Sequence, residues 1–361
     1  MTDDARWLAR AVALARRGRG WTAPNPAVGA VLVRDGRVVG EGFTQPVGGH
    51  HAEVMALADC AVRGEDPAGA TLYVTLEPCC HHGRTPPCTD AVLRSRVARV
   101  VVGVLDPFPV VLGRSMALLR AAGIRVDLVD DADCARQILG FGRAHTHGLP
   151  EVTCKVAASL DGRIATAAGE SRWITGDAAR VDGHRLRASH DAILVGIGTV
   201  LADDPALTTR LPDGEDLGRP VTHPVPVVLD TQLRIPADAA IFRHPRRPIL
   251  VCGDDAPERD LPADIVRSGT IEGTLRALAA RGLHRVLVEG GARVHRSLVD
   301  ARLVDTLVLY LAPLAIPGGI PWLAGDALGA LGDAPRGEIV GTERLGSDLR
   351  VELRLKHLSE G

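Results

Sequence analysis

Leu8, Ala11, Val12 and Ala15 recur at helical spacing across positions 4–17, so an amphipathic helix is expected to open the chain. Two β-rich runs follow at 27–33 and 37–43, and Asp35-Gly36 between them suits the positive φ angles of a tight hairpin turn. Helical and strand patterns then alternate: helix 51–62, strand 71–77, helix 88–96, strand 99–105, helix 113–122, strand 124–129 and helix 132–143. That order predicts an α/β sandwich whose sheet is mostly parallel after the hairpin. Residues 143–150 break the periodicity and end on Gly148-Leu149-Pro150, as a linker does. A second alternating series has strands expected at 152–158, 192–195, 225–229, 248–252, 286–288 and 306–311, with helices near 177–188, 271–281 and 292–300. The last 45 residues, rich in Gly and Pro around 313–335, carry no assignable period. Two α/β domains are therefore expected, 1–147 and 148–361.

Composition agrees with that division. A chain of 361 residues has room for two domains with cores of their own, and 46% hydrophobic with 24% charged residues is the balance of a folded soluble protein. Forty-two basic against 44 acidic residues leave a net charge of −2, and neither half is a polycation, which argues against nucleic acid as a partner. No run of about 18 apolar residues occurs. Asp3 and Asp4 stand where a signal peptide would be basic, so a cytoplasmic location without membrane association is expected. Seven cysteines, an odd number with Cys79, Cys80 and Cys88 close together, point to metal rather than to a disulfide framework. Arginine dominates the basic residues; only Lys155 and Lys356 are lysines.

The sharpest chemical signal has three parts: His51-Ala52-Glu53 at a helix start, Glu77-Pro78-Cys79 at a strand end, and Pro87-Cys88 opening the next helix. His51, Cys79 and Cys88 offer one imidazole and two thiolates to Zn2+, leaving the fourth tetrahedral position open for water, as a catalytic site does. Helix N-termini favour the thiolate form. Glu53, two residues beyond His51, is placed for proton transfer. Cys80 is an alternative ligand by its adjacency, although Pro78-Cys79 fits the motif better. Cys60, Cys134, Cys154 and Cys252 read as small buried hydrophobes.

A His-x-Glu element with a Pro-Cys-x-x-Cys element is the pattern of the zinc deaminases. Here eight residues separate Cys79 from Cys88 in place of two. The run Thr75-Leu76-Glu77-Pro78-Cys79-Cys80-His81-His82-Gly83-Arg84-Thr85-Pro86-Pro87-Cys88, with Pro24-Asn25-Pro26-Ala27-Val28-Gly29 and His51-Ala52-Glu53 before it, resembles the deaminase half of the bifunctional riboflavin biosynthesis deaminase/reductases. The resemblance implies a cytidine-deaminase-like α/β/α domain. It also implies a diaminopyrimidinone substrate carrying a ribosylamino 5′-phosphate, contacted by Asn25, His81, Arg84 and Asp106. Arg84 suits a phosphate on its own chemistry, because a guanidinium forms two parallel charge-assisted bonds. Phe108 departs from the family, which carries asparagine there, and it cannot replace an amide's hydrogen bonds.

In the second half, strand 192–195 runs into Gly196-Ile197-Gly198-Thr199, where small residues let a cofactor approach the backbone. Strand 286–288 ends at Glu289-Gly290-Gly291 before a helix whose free amides could hold a diphosphate. Leu201 at the third glycine position excludes a Rossmann fingerprint. The runs Lys155-Val156-Ala157-Ala158-Ser159-Leu160-Asp161-Gly162, Gly169-Glu170-Ser171-Arg172-Trp173 and Asp203-Asp204-Pro205-Ala206-Leu207-Thr208-Thr209-Arg210 resemble the reductase half of the same family. That half has a dihydrofolate-reductase-like α/β fold and uses NADPH. The resemblance implies that Ala157, Trp173, Thr199, Asp203, Gly290, Gly291, Ala292 and Arg293 face NADPH. It implies that Lys155, Ser171, Arg187, Asp203, Leu207, Arg210 and Glu289 face the ribosylamino phosphate, and that assembly into a homo-oligomer would run through the reductase domains. The competing readings are a nucleoside or nucleic-acid deaminase with an unrelated second domain, a reductase with an impaired deaminase, and a zinc-binding scaffold. Near-neutral charge and 3% aromatic residues oppose the nucleic-acid reading.

Overall fold

The computed structural model describes residues 3–83, 86–108, 111–325 and 328–355. These divide into two compact units, one of Met1–Gly148 with Asp216–Pro220, the other of Leu149–Glu215 with Val221–Gly361. No helix among the described residues is long and apolar enough to cross a membrane.

The first unit runs α1 (Asp3–Gly18), β1 (Gly29–Arg34), β2 (Arg37–Phe43), α2 (Ala52–Val62), β3 (Thr71–Leu76), α3 (Cys88–Ser95), β4 (Arg99–Val104), α4 (Arg114–Ala121), β5 (Arg125–Leu128), α5 (Ala132–Gln137) and α6 (Leu139–His147). Its sheet has the order β2-β1-β3-β4-β5, antiparallel on either side of β1 and parallel from β3 to β5. The hairpin turn forms as expected, with Asp35 at φ +52 and Gly36 at φ +72. Glycines let α2 lie close on the sheet: a Cβ at Gly40 would strike the Ala56 carbonyl, and one at Gly42 would crowd the backbone of Met55 and Ala56. That contact sets the height of the helix that starts just after His51.

Two expectations for this unit are corrected. The helix expected at 132–143 breaks at Ile138, whose φ of −104 and ψ of 9 separate α5 from α6. The expected linker is helical as far as His147, and Gly148 at φ +67 caps it. The Gly and Pro that looked like a linker are a helix stop signal. The polar residues before them lie on the exposed side of α6.

The second unit comprises β6 (Glu151–Ser159), β7 (Arg163–Ala165), α7 (Asp177–Ala188), β8 (Ala192–Gly196), α8 (Ile197–Asp203), β9 (Val225–Leu229), β10 (Ile249–Cys252), β11 (Asp264–Arg267), α9 (Ile271–Ala279), β12 (Arg285–Val288), α10 (Ala292–Asp300), β13 (Thr306–Ala312), β14 (Ile320–Pro321), β15 (Gly337–Leu345) and β16 (Asp348–Leu355), with two short 3-10 turns. Nine strands form one sheet, β11-β10-β9-β8-β12-β6-β13-β16-β15. The strands from β11 to β13 are parallel, and β16 and β15 are antiparallel. Both faces of its centre are covered. Along β8, β12 and β10 alternate residues enter separate cores: Leu194, Val288 and Val251 join one, while Ile193, Leu287 and Leu250 join the other. The chain's unassigned end supplies the β15–β16 hairpin. β15 is exposed along nearly all its length, so neither of its faces carries the alternation by which a half-buried strand is recognised.

Candidate active sites

In the first unit the end of β3 and the starts of α2 and α3 converge. His51 is the residue before α2, Cys79 follows β3, and Cys88 is the first residue of α3. His51 Nδ1 lies 3.2 Å from Cys88 Sγ and 3.6 Å from Cys79 Sγ, and the Cys88 amide donates to Cys79 Sγ at 3.3 Å. The three ligand atoms lie within 4.8 Å of one another. One imidazole and two sulfurs at that spacing fit zinc in its open, three-ligand form. The hydrogen bond from Cys88 holds the Cys79 thiol well below its ordinary range, whereas the same bond and burial push Cys88 upward. Cys80 lies outside this group of three.

Glu53 is buried in the first turn of α2, and burial, reinforced by the Cys79 charge, pushes its carboxyl up to about 7. A cleft of about 210 Å³ opens beside it, lined by Asn25, His51, Glu53, Cys79, His81 and Asp106 among others. Asp106 is buried as well, which raises its carboxyl to about 6, and it accepts the Phe108 amide at 2.8 Å. His81 contributes a buried Nδ1 that makes no hydrogen bond among the described residues. Arg84 lies outside the described residues.

Three features of this cleft were not read from the sequence. Phe108 packs edge-on against His145 at 5.4 Å between ring centres, and His145 lies against Phe141 at 4.2 Å with the rings tilted by 44°. The position where the family has an amide thus belongs to an aromatic wall, two members of which come from α6. The third feature is Glu77, buried just before Pro78-Cys79. It accepts the Asp106, Gly113 and Ser115 amides at 3.3, 2.9 and 3.2 Å and the Ser115 hydroxyl at 2.6 Å. This carboxylate ties the ligand-bearing turn to the loop that carries Asp106. Its place inside the Glu-Pro-Cys run was the only signal for it.

In the second unit the candidate residues gather beyond the carboxyl ends of the parallel strands, where open α/β sheets bind ligands. Glu289, after β12, takes a two-pronged contact from Arg187 of α7, Nε to Oε1 at 2.7 Å and Nη2 to Oε2 at 2.9 Å. Lys155 Nζ of β6 lies 3.9 Å from Glu289 and over the Tyr310 ring at 5.6 Å. Burial opposes the Glu289 charge, but Arg187 and Lys155 overcome it and hold the carboxyl down at about 2. Arg187 also donates to the Thr208 carbonyl at 2.9 Å. Its guanidinium is engaged within the protein, so the more exposed Arg210 is the freer of the two arginines expected at the phosphate.

The expected cofactor residues occupy two strand ends. Gly196 caps the start of α8, with Thr199 inside that helix, and Gly291 caps the start of α10. A Cβ at Gly290 would meet Val294 at 2.9 Å, so that position has no room for a side chain, whereas one at Gly198 or Gly291 would meet nothing within 4 Å. Open backbone at the start of α10 fits a diphosphate. Ala292 is buried and Arg293 exposed in its first turn. Trp173 is 69% exposed, with the Arg180 guanidinium 4.5 Å over its ring. Asp203 receives the Arg172 guanidinium on its carbonyl at 3.1 Å. Ala157 lies on β6 opposite Tyr310, Ser171 is half-buried in the loop before Trp173, and the Leu207 side chain is buried in a core, so Leu207 offers only its backbone.

Sequence and structure comparisons agree with this geometry. Residues 1–104 match the family model for the cytidine and deoxycytidylate deaminase zinc-binding region, and residues 150–351 match that for the RibD C-terminal domain. The chain is 41% identical over 362 residues to the riboflavin biosynthesis protein RibD of Bacillus amyloliquefaciens, covering 96% of this chain and 94% of the relative. It is 40% identical over 372 residues to RibD of Escherichia coli, covering 97% and 99%. Among solved structures it is similar to a diaminohydroxyphosphoribosylaminopyrimidine deaminase/5-amino-6-(5-phosphoribosylamino)uracil reductase from Thermotoga maritima, with a TM-score of 0.88 and 37% identity over 98% of this chain and 99% of that one. Acinetobacter baumannii RibD gives the same TM-score, identity and coverage.

Proposed function

The chain belongs to the RibD family of riboflavin biosynthesis proteins, and from that membership and its two sites we propose that it performs two successive steps on one phosphorylated pyrimidine. Residues 1–147 deaminate 2,5-diamino-6-(5-phosphoribosylamino)pyrimidin-4(3H)-one. Residues 148–361 then reduce the ribosyl chain to ribityl, giving 5-amino-6-(5-phosphoribitylamino)uracil. The observation that carries the reading is one chain holding both the His51–Cys79–Cys88 set beside a buried carboxylate and the Lys155–Glu289–Arg187 cluster at the end of a parallel sheet. The thiolate ligands suit the reducing cytoplasm, where we place the enzyme.

In the deaminase, His51, Cys79 and Cys88 hold zinc, which when bound supplies the Lewis acidity that makes water a nucleophile at neutral pH. Glu53 takes a proton from the attacking water and returns it to the departing amine. Water adds to the ring carbon, the carbon–nitrogen bond breaks, ammonia leaves and a carbonyl remains. Asn25, His81, Arg84 and Asp106 hold the substrate, and the Phe108 wall closes the cleft beside them.

In the reductase, the starts of α8 and α10 would hold NADPH, which when bound would supply the hydride for reduction of the open-chain imine form of the ribose at C1′. Ala157, Trp173, Thr199, Asp203 and Gly290-Gly291-Ala292-Arg293 would orient it. Lys155 and Glu289 hold the substrate, and the Lys155 ammonium delivers the proton that completes the reduction. Ser171, Arg187, Leu207 and Arg210 complete the pocket, with Arg210 on the phosphate.

Glu53→Gln provides the test. Ammonia release is expected to fall by at least about a hundredfold, the scale of a lost general acid–base, while NADPH oxidation continues when deaminated substrate is supplied. Separate assays of ammonia and NADPH absorbance read the two activities. Loss of both in the folded variant contradicts the two-site reading.

A further inference from the structure

Residues 207–210 of the reductase carry Arg210 to its cluster, and they belong to neither helix nor strand. Backbone amides outside regular structure need other partners when shielded from water. Here two consecutive amides find the same kind. Thr209 N donates to His223 Nδ1 at 3.1 Å, and Arg210 N donates to His184 Nδ1 at 3.2 Å. The rest of the segment is held equally firmly: Leu207 is buried at φ +52, the Thr208 carbonyl accepts Arg187, and Thr208 Oγ1 accepts the Arg210 guanidinium at 2.9 Å.

We propose that His184 and His223 are positioning residues of the reductase, a pair of neutral imidazole acceptors that hold the Thr209 and Arg210 amides and thereby fix where Arg210 meets the substrate phosphate. The proposal rests on the reading of Arg210 as a phosphate contact. An imidazole accepts at Nδ1 only while that nitrogen is unprotonated, and the imidazolium is a donor at both nitrogens. Protonation of either ring therefore releases its amide.

The surroundings keep both rings neutral. Burial lowers the pKa of His184 to about 4, aided by Arg187 on its own helix, Arg210 on the held segment and Lys155 on β6, with Glu289 after β12 opposing them. Burial likewise lowers His223, joined by Arg246, and the His244 ring packs edge-on against it at 5.7 Å. The clamp is thus closed at neutral pH and opens toward acid.

The test uses the full chain, with NADPH oxidation measured on deaminated, phosphorylated substrate. His184→Ala and His223→Ala are each expected to raise KM roughly five- to tenfold, the scale of one lost hydrogen bond, with a much smaller change in kcat. His184→Asn and His223→Asn, which keep an acceptor oxygen but cannot titrate, are expected to restore most of the affinity. Arg210→Ala serves as the reference. If Arg210→Ala raises KM and the two alanine variants do not, the clamp is overturned while the reading of Arg210 stands. An unchanged KM in Arg210→Ala overturns that reading and the proposal with it. Should the alanine variants fail to fold, the double asparagine variant decides: the rise in KM between pH 7 and pH 3.5 is expected to be weaker than in the unmodified enzyme, and identical profiles overturn the proposal.

Discussion

Glu289 is nearly withdrawn from water yet stays charged, because Arg187 contacts both of its oxygens and Lys155 stands nearby. Its pKa of about 2, against an ordinary 4.5, means that its stabilisation is fully present above about pH 4.5 and is lost as pH falls toward 2. Glu289→Gln leaves Arg187 with an uncompensated charge and is expected to cost about 3–5 kcal/mol at neutral pH. Native-state hydrogen exchange of the β12 amides, corrected for intrinsic rates, should show that deficit narrowing across the same acid range. A deficit independent of pH would mean that the ion pair does not hold β12. His51, Glu53, Cys79 and Cys88 were legible because each stands in a short motif of donor types that zinc chemistry uses, although the fold joins His51 to Cys79 and Cys88 across 28 and 37 positions. Glu77, His145 and His184 were not. Their partners lie 38, 37 and 26 positions away for the Glu77–Ser115, Phe108–His145 and His184–Arg210 contacts, and no residue in those pairs implies the other.

At the scale of elements, α2 reaches its place because Gly40 and Gly42 clear the sheet surface beneath it. Gly40→Ala is expected to push α2 outward, weakening zinc retention against a chelator and lowering ammonia release, with NADPH oxidation spared. Retention equal to the unmodified protein would show that the loops alone hold the ligand set. The hairpin was readable from Asp35-Gly36 because a two-residue turn makes its demand locally. The β15–β16 hairpin was not, since an exposed strand is defined by pairing, here of β16 with β13, rather than by any hydrophobic period. The short α8 was not legible either, because a helix of seven residues carries too few turns to show a face.

Across the whole chain, the two ligand-binding clusters share no residue and belong to separate units. Removal of zinc with a chelator is therefore expected to stop ammonia release and leave NADPH oxidation of deaminated substrate intact, as separate assays would show; parallel loss of both would contradict independent sites. The single described lysine, Lys155, fits this picture, since a compact ammonium sits between a carboxylate and an aromatic ring where a planar guanidinium has a different shape. The order of amino acids alone determined the α/β class through periodicity, and its short motifs marked the pairing of a zinc deaminase with a reductase and named the His51, Cys79 and Cys88 set that the fold brings together. Tertiary structure alone decided that Arg187 is engaged by Glu289 while Arg210 stays exposed, bonded to Thr208 Oγ1. It also decided that Phe108 joins a wall built by α6 and that two histidines hold consecutive amides. These depend on long-range packing, in which a side chain's role is set by whatever distant group the fold brings within hydrogen-bonding or van der Waals reach.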